Sequence, residues 1–126
     1  MTNNKQTKPT ESELEILGIL WRKEQATVRE VHEALASHKD VGYTTTLKLM
    51  QIMFEKGLVA RDESNKSHVY KPAINKQATQ QQFLGKIINT LFGGSSAQLV
   101  MQALGNHHPS KQEIEQIEQL LKSLKK

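Results

Sequence analysis

Apolar residues recur every three or four positions along the first third of the chain, which is typical of short amphipathic helices. A capping box precedes the first stripe, because Thr10 is followed three residues later by Glu13. The apolar members of this stripe are Leu14, Ile16, Leu17, Leu20 and Trp21. Since the pattern fails near Gln25, the sequence predicts a first helix that opens at Thr10 and ends before that residue.

Two further helices are predicted before the period changes. A second capping box, Thr27 with Glu30, opens a short helix whose buried face carries Val28, Val31 and Leu35. The next helix runs from about Thr44 to Lys56, and Gly57 is suited to the left-handed residue that ends it. The core side of this third helix is predicted to hold Thr46, Leu49, Met50, Met53 and Phe54.

The hydrophobic period changes after Gly57. Residues 58–61 and 68–70 read as two short strands, and the turn-rich residues 62–67 between them predict a β-hairpin. Pro72 closes this section and marks the predicted boundary between a domain of residues 1–72 and a domain of residues 73–126.

The second domain is predicted to consist of three helices. The first starts near Asn75 and breaks at Gly93, the second is capped by Ser95 or Ser96, and a third capping box, Ser110 with Glu113, opens the last. Their apolar positions are Leu84, Ile87, Ile88, Leu91, Leu99, Val100, Leu104, Ile114, Ile117, Leu121 and Leu124. Because about fifty residues cannot bury so much apolar surface, we expect a symmetric partner to cover it.

Three short helices followed by a hairpin predict a winged helix-turn-helix, in which the third helix enters the major groove and the hairpin follows the DNA backbone. The fold class is therefore mainly α, with an N-terminal winged helix-turn-helix of three helices and a two-stranded wing, and a C-terminal three-helix dimerisation domain. The third helix presents Thr44, Leu47, Lys48 and Gln51 opposite its core side. Thr, Gln and Lys can form hydrogen bonds with base edges, and Leu can pack on a thymine methyl. Leu47 is predicted to have no core to fill, which slightly favours DNA contact.

The remaining DNA-binding candidates flank this face or lie in the hairpin. They are Tyr43, Thr45, Arg61, Lys66, Ser67 and His68, the last four as phosphate contacts. The alternative interpretation is a solvent-facing helix side and a solvated turn, which would contain the same residue types.

Composition narrows the function classes. The 126 residues carry a net charge of +4 and no cysteine, which excludes disulfides, thiolate zinc sites and cysteine nucleophiles. No apolar run is long enough to cross a bilayer, and the polar N-terminus, predicted to be a frayed tail over residues 1–8, has no signal-peptide pattern; we expect a cytoplasmic protein. The pair His107 and His108 lacks further ligands and no catalytic constellation is evident, so we expect no metal, no cofactor and no enzyme activity.

Several segments resemble the BlaI/MecI penicillinase-repressor family over nearly the whole chain. The matching stretches are GYTTTLKLMQIM at residues 42–53, EKGLV at 55–59, Leu20-Trp21, Val69-Tyr70, the Phe-Gly-Gly hinge at 92–94, and Leu99-Val100. This resemblance implies a homodimeric repressor that binds a dyad-symmetric operator. It also implies release by cleavage in the dimerisation domain, triggered by a membrane-bound zinc metalloprotease sensor.

Two departures from the family are visible. Where the type members are cut at an Asn–Phe bond, this chain has Gln102–Ala103, around which Leu99, Val100 and Leu104 are expected to be buried and protective. Where the type members carry arginines in the recognition helix, this chain has Leu47 and Ile52, so we expect a different operator. The C-terminal cysteines of the copper-responsive branch are absent, which argues against a copper sensor.

Two function hypotheses follow. The first is a homodimeric, sequence-specific transcriptional repressor. The second is a helical dimerising module whose winged domain docks a protein rather than DNA. Salt dependence separates the two, because phosphate contacts make affinity fall steeply with salt.

Overall fold

The computed structural model describes residues 8–125 and contains six helices and three strands within them. In chain order these elements are α1 (Glu11–Lys23), β1 (Ala26–Thr27), α2 (Val28–Ala36), α3 (Tyr43–Lys56), β2 (Val59–Asp62), β3 (Val69–Pro72), α4 (Lys76–Leu91), α5 (Ser96–Asn106) and α6 (Lys111–Leu124). The predicted frayed tail, apart from Lys8, lies outside the described residues. None of the helices within residues 8–125 combines the length and the apolar character that a bilayer crossing requires.

All three predicted capping boxes are confirmed. At the start of α1, the Glu13 backbone N–H donates to Thr10 Oγ1 at 3.2 Å, and the Thr10 N–H donates to Glu13 Oε1 at 2.9 Å. The same reciprocal bonds open α2 and α6. Gly57 ends α3 with φ at 83°, as predicted from its position. These helix ends are set by residues three apart, which is why the sequence locates them well.

The sheet has three antiparallel strands in the order β1-β3-β2 rather than the two that the sequence predicts. β2 and β3 form the hairpin, with Arg61 opposite Tyr70. The additional strand β1 pairs Ala26 with Tyr70 and Thr27 with Val69. A two-residue strand is too short to show an alternating pattern, and Thr27 is also the N-cap of α2, so its role in the sheet was hidden.

The hydrophobic core lies between α1, α2, α3 and the sheet. Its fully buried side chains are Ile16, Leu17, Leu20, Val31, Met50, Met53 and Tyr70. Two predictions about α3 are wrong. Phe54 was expected in the core and is 36% exposed, whereas Leu47 was expected to have no core to fill and packs partly against it.

The described chain separates into two compact units, with the division between Thr79 and Gln80 inside α4. The sequence placed the boundary at Pro72. The intervening segment is tied to the first unit because Trp21 Nε1 donates to Ile74 O at 3.1 Å and Ile74 packs on the core. Ala73 N also donates to Leu58 O at 2.9 Å.

The second unit has no hydrophobic core of its own among the described residues, since every buried apolar side chain lies in the first unit. Six of the predicted dimerisation residues are exposed, namely Leu84, Ile87, Leu91, Ile114, Leu121 and Leu124, and three are half-buried, namely Ile88, Leu99 and Ile117. The expected burial around the Gln102–Ala103 bond is wrong for the single chain. Leu99 is half-buried, while Val100 and Leu104 are exposed, because no core forms around α5.

Candidate nucleic-acid interface

Helix α3 separates its side chains into two faces. Thr46, Met50 and Met53 are buried, at the spacing of four and three residues that keeps them on one side. The predicted base-reading residues Thr44, Lys48 and Gln51, together with Thr45, are all exposed. The exposed surface of α3 also includes Ile52 and Glu55, which the sequence analysis did not nominate as contacts. The helix therefore has one exposed side that carries its polar candidates, as base reading requires.

The first turn of α3 is held in place by α2. His32 Nδ1 and Thr46 Oγ1 form a hydrogen bond of 3.2 Å, and the Thr46 hydroxyl also lies 3.4 Å from the Gly42 carbonyl oxygen, to which it donates. The ring of Tyr43 meets the His32 ring edge to face, with 5.5 Å between the centroids. Because Thr46 is fully buried, these contacts fix the end of α3 from which Thr44 and Thr45 project.

A groove opens between α3 and the wing and collects most of the predicted site. Seven of the predicted DNA-binding residues line it: Tyr43, Leu47, Gln51, Arg61, Lys66, Ser67 and His68. The other three, Thr44, Thr45 and Lys48, lie on the exposed surface of α3 and do not line this groove. Since α3 and the wing border one depression, a single ligand can contact both.

The start of α2 contributes residues to the groove that the sequence analysis missed. Thr27, Val28 and Arg29 line its wall, and Arg29 is exposed. Arg29 stands in the first turn of α2, where a cation opposes the helix dipole. That unfavourable placement is the signal in the sequence that could have identified Arg29 as an anion contact.

Arg61 in β2 has three neighbours. Its guanidinium carbon stands 4.0 Å from the centre of the Phe54 ring, its Nε donates to Glu63 Oε2 at 2.6 Å, and its Nη1 donates to the Tyr70 hydroxyl at 3.4 Å. Its hydrogen bonds to Tyr70 and to Glu63 raise the pKa of the Arg61 guanidinium above its ordinary value. This stacking explains how Phe54 can be partly exposed, because Arg61 covers one face of its ring.

The turn of the wing is organised by Asp62. The backbone N–H of Ser64 donates to Asp62 Oδ1 at 3.0 Å. This bond lowers the pKa of the Asp62 carboxyl, because it stabilises the charged form. The acidic groups Asp62 and Glu63 are thus both engaged within the wing, while Lys66 is exposed beyond them.

Residues 8–125 contain no group of three or more His, Cys, Asp or Glu side chains that could hold a metal ion. What the groove offers is hydrogen-bonding and cationic side chains on a fixed scaffold. Such a surface can bind a polyanion, with phosphate contacts for position and base-edge contacts for sequence.

Comparison with known proteins identifies the scaffold. The family model described as penicillinase repressor matches residues 9–123. The penicillinase repressor of Staphylococcus aureus is 24% identical over 123 residues, which cover 98% of each chain. The transcriptional regulator BlaI of Mycobacterium tuberculosis is 38% identical over 69 residues, which cover 54% of this chain and 50% of that protein.

A solved structure shares the fold of part of this chain. The solution structure of the DNA-binding domain of the repressor BlaI superposes with a TM-score of 0.52 at 21% identity, covering 60% of this chain and 90% of that domain. At this identity the match supports the winged-helix fold alone, and the predicted mainly α fold class is confirmed. The family consists of transcriptional repressors rather than enzymes, as the sequence predicted. Because the family model spans nearly all of the chain, the protein belongs to the penicillinase repressor family.

Proposed function

We propose that this protein is a transcriptional repressor that binds double-stranded DNA in a sequence-specific manner. The observation that carries the proposal is the groove in which the exposed side of α3 meets the wing, bordered by Arg29, Arg61 and Lys66. Membership of a repressor family supports the same conclusion. Such a function is exercised where the chromosome is, so we infer a cytoplasmic location.

In this proposal, α3 enters the major groove and reads base edges with Thr44, Lys48 and Gln51, whose side chains are exposed on one helix surface. Lys66 and Ser67 on the wing contact phosphates, and Arg29 at the start of α2 adds a further contact. Tyr43, Thr45, Leu47 and His68 complete the proposed contact surface.

The test is DNA binding measured as a function of salt. Duplexes are selected from a random-sequence library with the full-length protein, and affinity for the selected duplex and a scrambled one is measured by fluorescence anisotropy. We expect a preference for the selected duplex and a linear fall of log affinity with log salt. No binding to any duplex, or binding that hardly responds to salt, favours the alternative that the winged unit docks a protein.

We further propose that the repressor is a homodimer formed by the second unit, so that the operator has dyad symmetry. The support is the apolar surface of α4 and α6, where Leu84, Ile87, Leu121 and Leu124 are exposed in the single chain. A symmetric partner that covers this surface removes it from water. Sedimentation velocity should give the mass of two chains at micromolar concentration, and a monomer at that concentration contradicts the proposal.

Release from DNA is proposed to follow cleavage of the Gln102–Ala103 bond, with a membrane-bound zinc metalloprotease sensor as the candidate partner. The bond lies inside α5, with both residues exposed, and the Asn106 side-chain amide donates to the Gln102 carbonyl at 2.9 Å. A protease needs extended backbone, so α5 has to open locally before the bond is cut.

A truncated chain tests this release mechanism apart from any protease. A protein that ends at Gln102 lacks α6 and should be monomeric, with lower affinity for the selected duplex, because the second half-site contact is no longer tethered. A fragment that stays dimeric and binds as tightly as the full chain refutes derepression by cleavage at this bond.

A further inference from the structure

The side chain of Arg61 bridges the wing and the recognition helix α3. Arg61 on β2 stacks on Phe54, which lies in the last turn of α3, at 4.0 Å from the ring centre. The Arg61 guanidinium carbon also lies 5.9 Å from the centre of the Tyr70 ring in β3, the residue directly opposite it in the hairpin register. The guanidinium therefore bridges α3 and both strands of the wing.

Each of the three guanidinium nitrogens of Arg61 already has a partner, which engages three of its five N–H groups. Nε and Nη2 hold the Glu63 carboxylate, Nη1 donates to the Tyr70 hydroxyl, and one face of the group is covered by the Phe54 ring. Only 19% of the side chain is exposed. The Arg61 guanidinium is thus held by three side chains within the protein, whereas Lys66 is exposed at the tip of the wing.

We propose that Arg61 is a positioning residue, which locks the wing against the recognition helix, rather than one of the phosphate contacts. This inference rests on the proposed DNA-binding function and refines its site. By fixing the wing on Phe54, Arg61 sets the distance between the phosphate-contacting Lys66 and the base-reading surface of α3. Lysine cannot replace it, because a lysine ammonium lacks the planar group that stacks on one ring while forming a fork of hydrogen bonds.

The experiment separates the lock from a phosphate contact by two readouts. Full-length Arg61→Lys, Arg61→Ala, Phe54→Leu and the double variant Arg61→Lys/Phe54→Leu are titrated with the selected duplex at several salt concentrations, with Lys66→Ala as the matched control. We expect both Arg61 variants to lose about tenfold in affinity, because neither alanine nor lysine keeps the planar guanidinium and the fork of hydrogen bonds that hold the wing. The salt slope should stay unchanged in both, whereas Lys66→Ala should lower it by about one.

The double variant reports whether the two residues act together. Phe54→Leu should lose affinity to a similar extent, and adding Arg61→Lys should lower it by less than the same change does in the wild type, because the contact between the two side chains is already gone. If Arg61→Lys binds as the wild type does and Arg61→Ala lowers the salt slope by about one, Arg61 contacts a phosphate and the proposal is overturned.

A measurement without DNA tests the positioning contact between Arg61 and Phe54 (the lock) separately from the proposed DNA-binding function. Urea unfolding of the same four variants, followed by the fluorescence of Trp21, gives the coupling between positions 61 and 54. A measurable coupling supports the lock even if the wild type binds no duplex, in which case only the DNA-binding function fails. Strictly additive effects on unfolding overturn the lock, whatever the affinity for DNA.

Discussion

Replacing Lys56 by Met should destabilise the first unit far more than an exposed lysine replacement would. The Lys56 ammonium contacts both oxygens of the Glu13 carboxylate, at 2.8 and 2.9 Å, and joins the end of α3 to the start of α1. Glu13 is only 2% exposed and also accepts the Thr10 backbone N–H. Methionine keeps most of the apolar stem of the lysine side chain and removes the charge, so the variant leaves a buried carboxylate without its counter-ion.

The magnitude follows from burial. Removing one partner of a buried ion pair costs about 3–5 kcal/mol, because the remaining charge is desolvated and uncompensated. The Lys56 side chain is 25% exposed. Water that reaches the vacated position therefore offsets part of the penalty, and we expect a loss of about 2–3 kcal/mol in the free energy of unfolding.

The chain supplies its own control. Lys39 and Glu15 form an ion pair at the same distance, 2.8 Å, but both side chains are 39% exposed. Lys39→Met should therefore cost less than about 1 kcal/mol. The assay is urea denaturation at neutral pH followed by Trp21, which lies in the first unit with its indole N–H bonded to Ile74 O.

Two results would refute this reasoning. The first is an equal cost for Lys56→Met and Lys39→Met, which would mean that burial of Glu13 does not govern the strength of its pair. The second concerns Glu13→Gln, which removes the unpaired buried charge and retains an oxygen that accepts the Thr10 backbone N–H. In the Lys56→Met background this change should recover part of the loss; a further large loss would contradict the electrostatic explanation.

Other predictions address the interface and its supports. Lys48→Ala should cost about 1–3 kcal/mol on the selected duplex and less on a scrambled one, by fluorescence anisotropy; equal losses on both would refute a base-reading role. Gly57→Ala should cost roughly 1 kcal/mol in urea unfolding, because its φ of 83° is left-handed while the space around it is open; an unchanged stability would contradict this. Because the pKa of Asp62 is lowered in the folded protein, its bond to Ser64 stabilises the wing turn at pH values above the ordinary aspartate pKa. This stabilisation is lost as the pH falls through the lowered pKa of the folded protein. The amide proton resonance of Ser64 should follow this titration, and a midpoint at or above the ordinary aspartate value would be the wrong sign.

The sequence predicted the features that depend on nearby residues. The helix starts at Thr10, Thr27 and Ser110 are set by capping boxes within four residues, and the end of α3 is set by one glycine. The buried stripe of α3 follows from helical spacing alone, so its exposed side, with Thr44 and Lys48, could be located as well.

What the sequence could not predict depends on distant contacts. Leu47 and Phe54 lie on the flanks of α3, and only the packing of the sheet decides which of them is covered. The strand β1 exists because Tyr70, more than forty residues away, pairs with Ala26. Arg29 enters the groove because α2 begins beside the wing, and helical periodicity contains no information about that neighbour.

The capping box of α6 has a consequence for the energetics of assembly. The Ser110 and Glu113 bonds, at 2.9 and 3.1 Å, join residues three apart and need no tertiary contact. α6 is thus organised locally, although its leucines and isoleucines are largely exposed and no residue of α6 is buried within the described part of the chain. For the proposed dimer, the first turn of α6 is therefore preorganised, because it is ordered before a second chain binds. Association then carries a smaller entropic cost for ordering the segment that forms the interface.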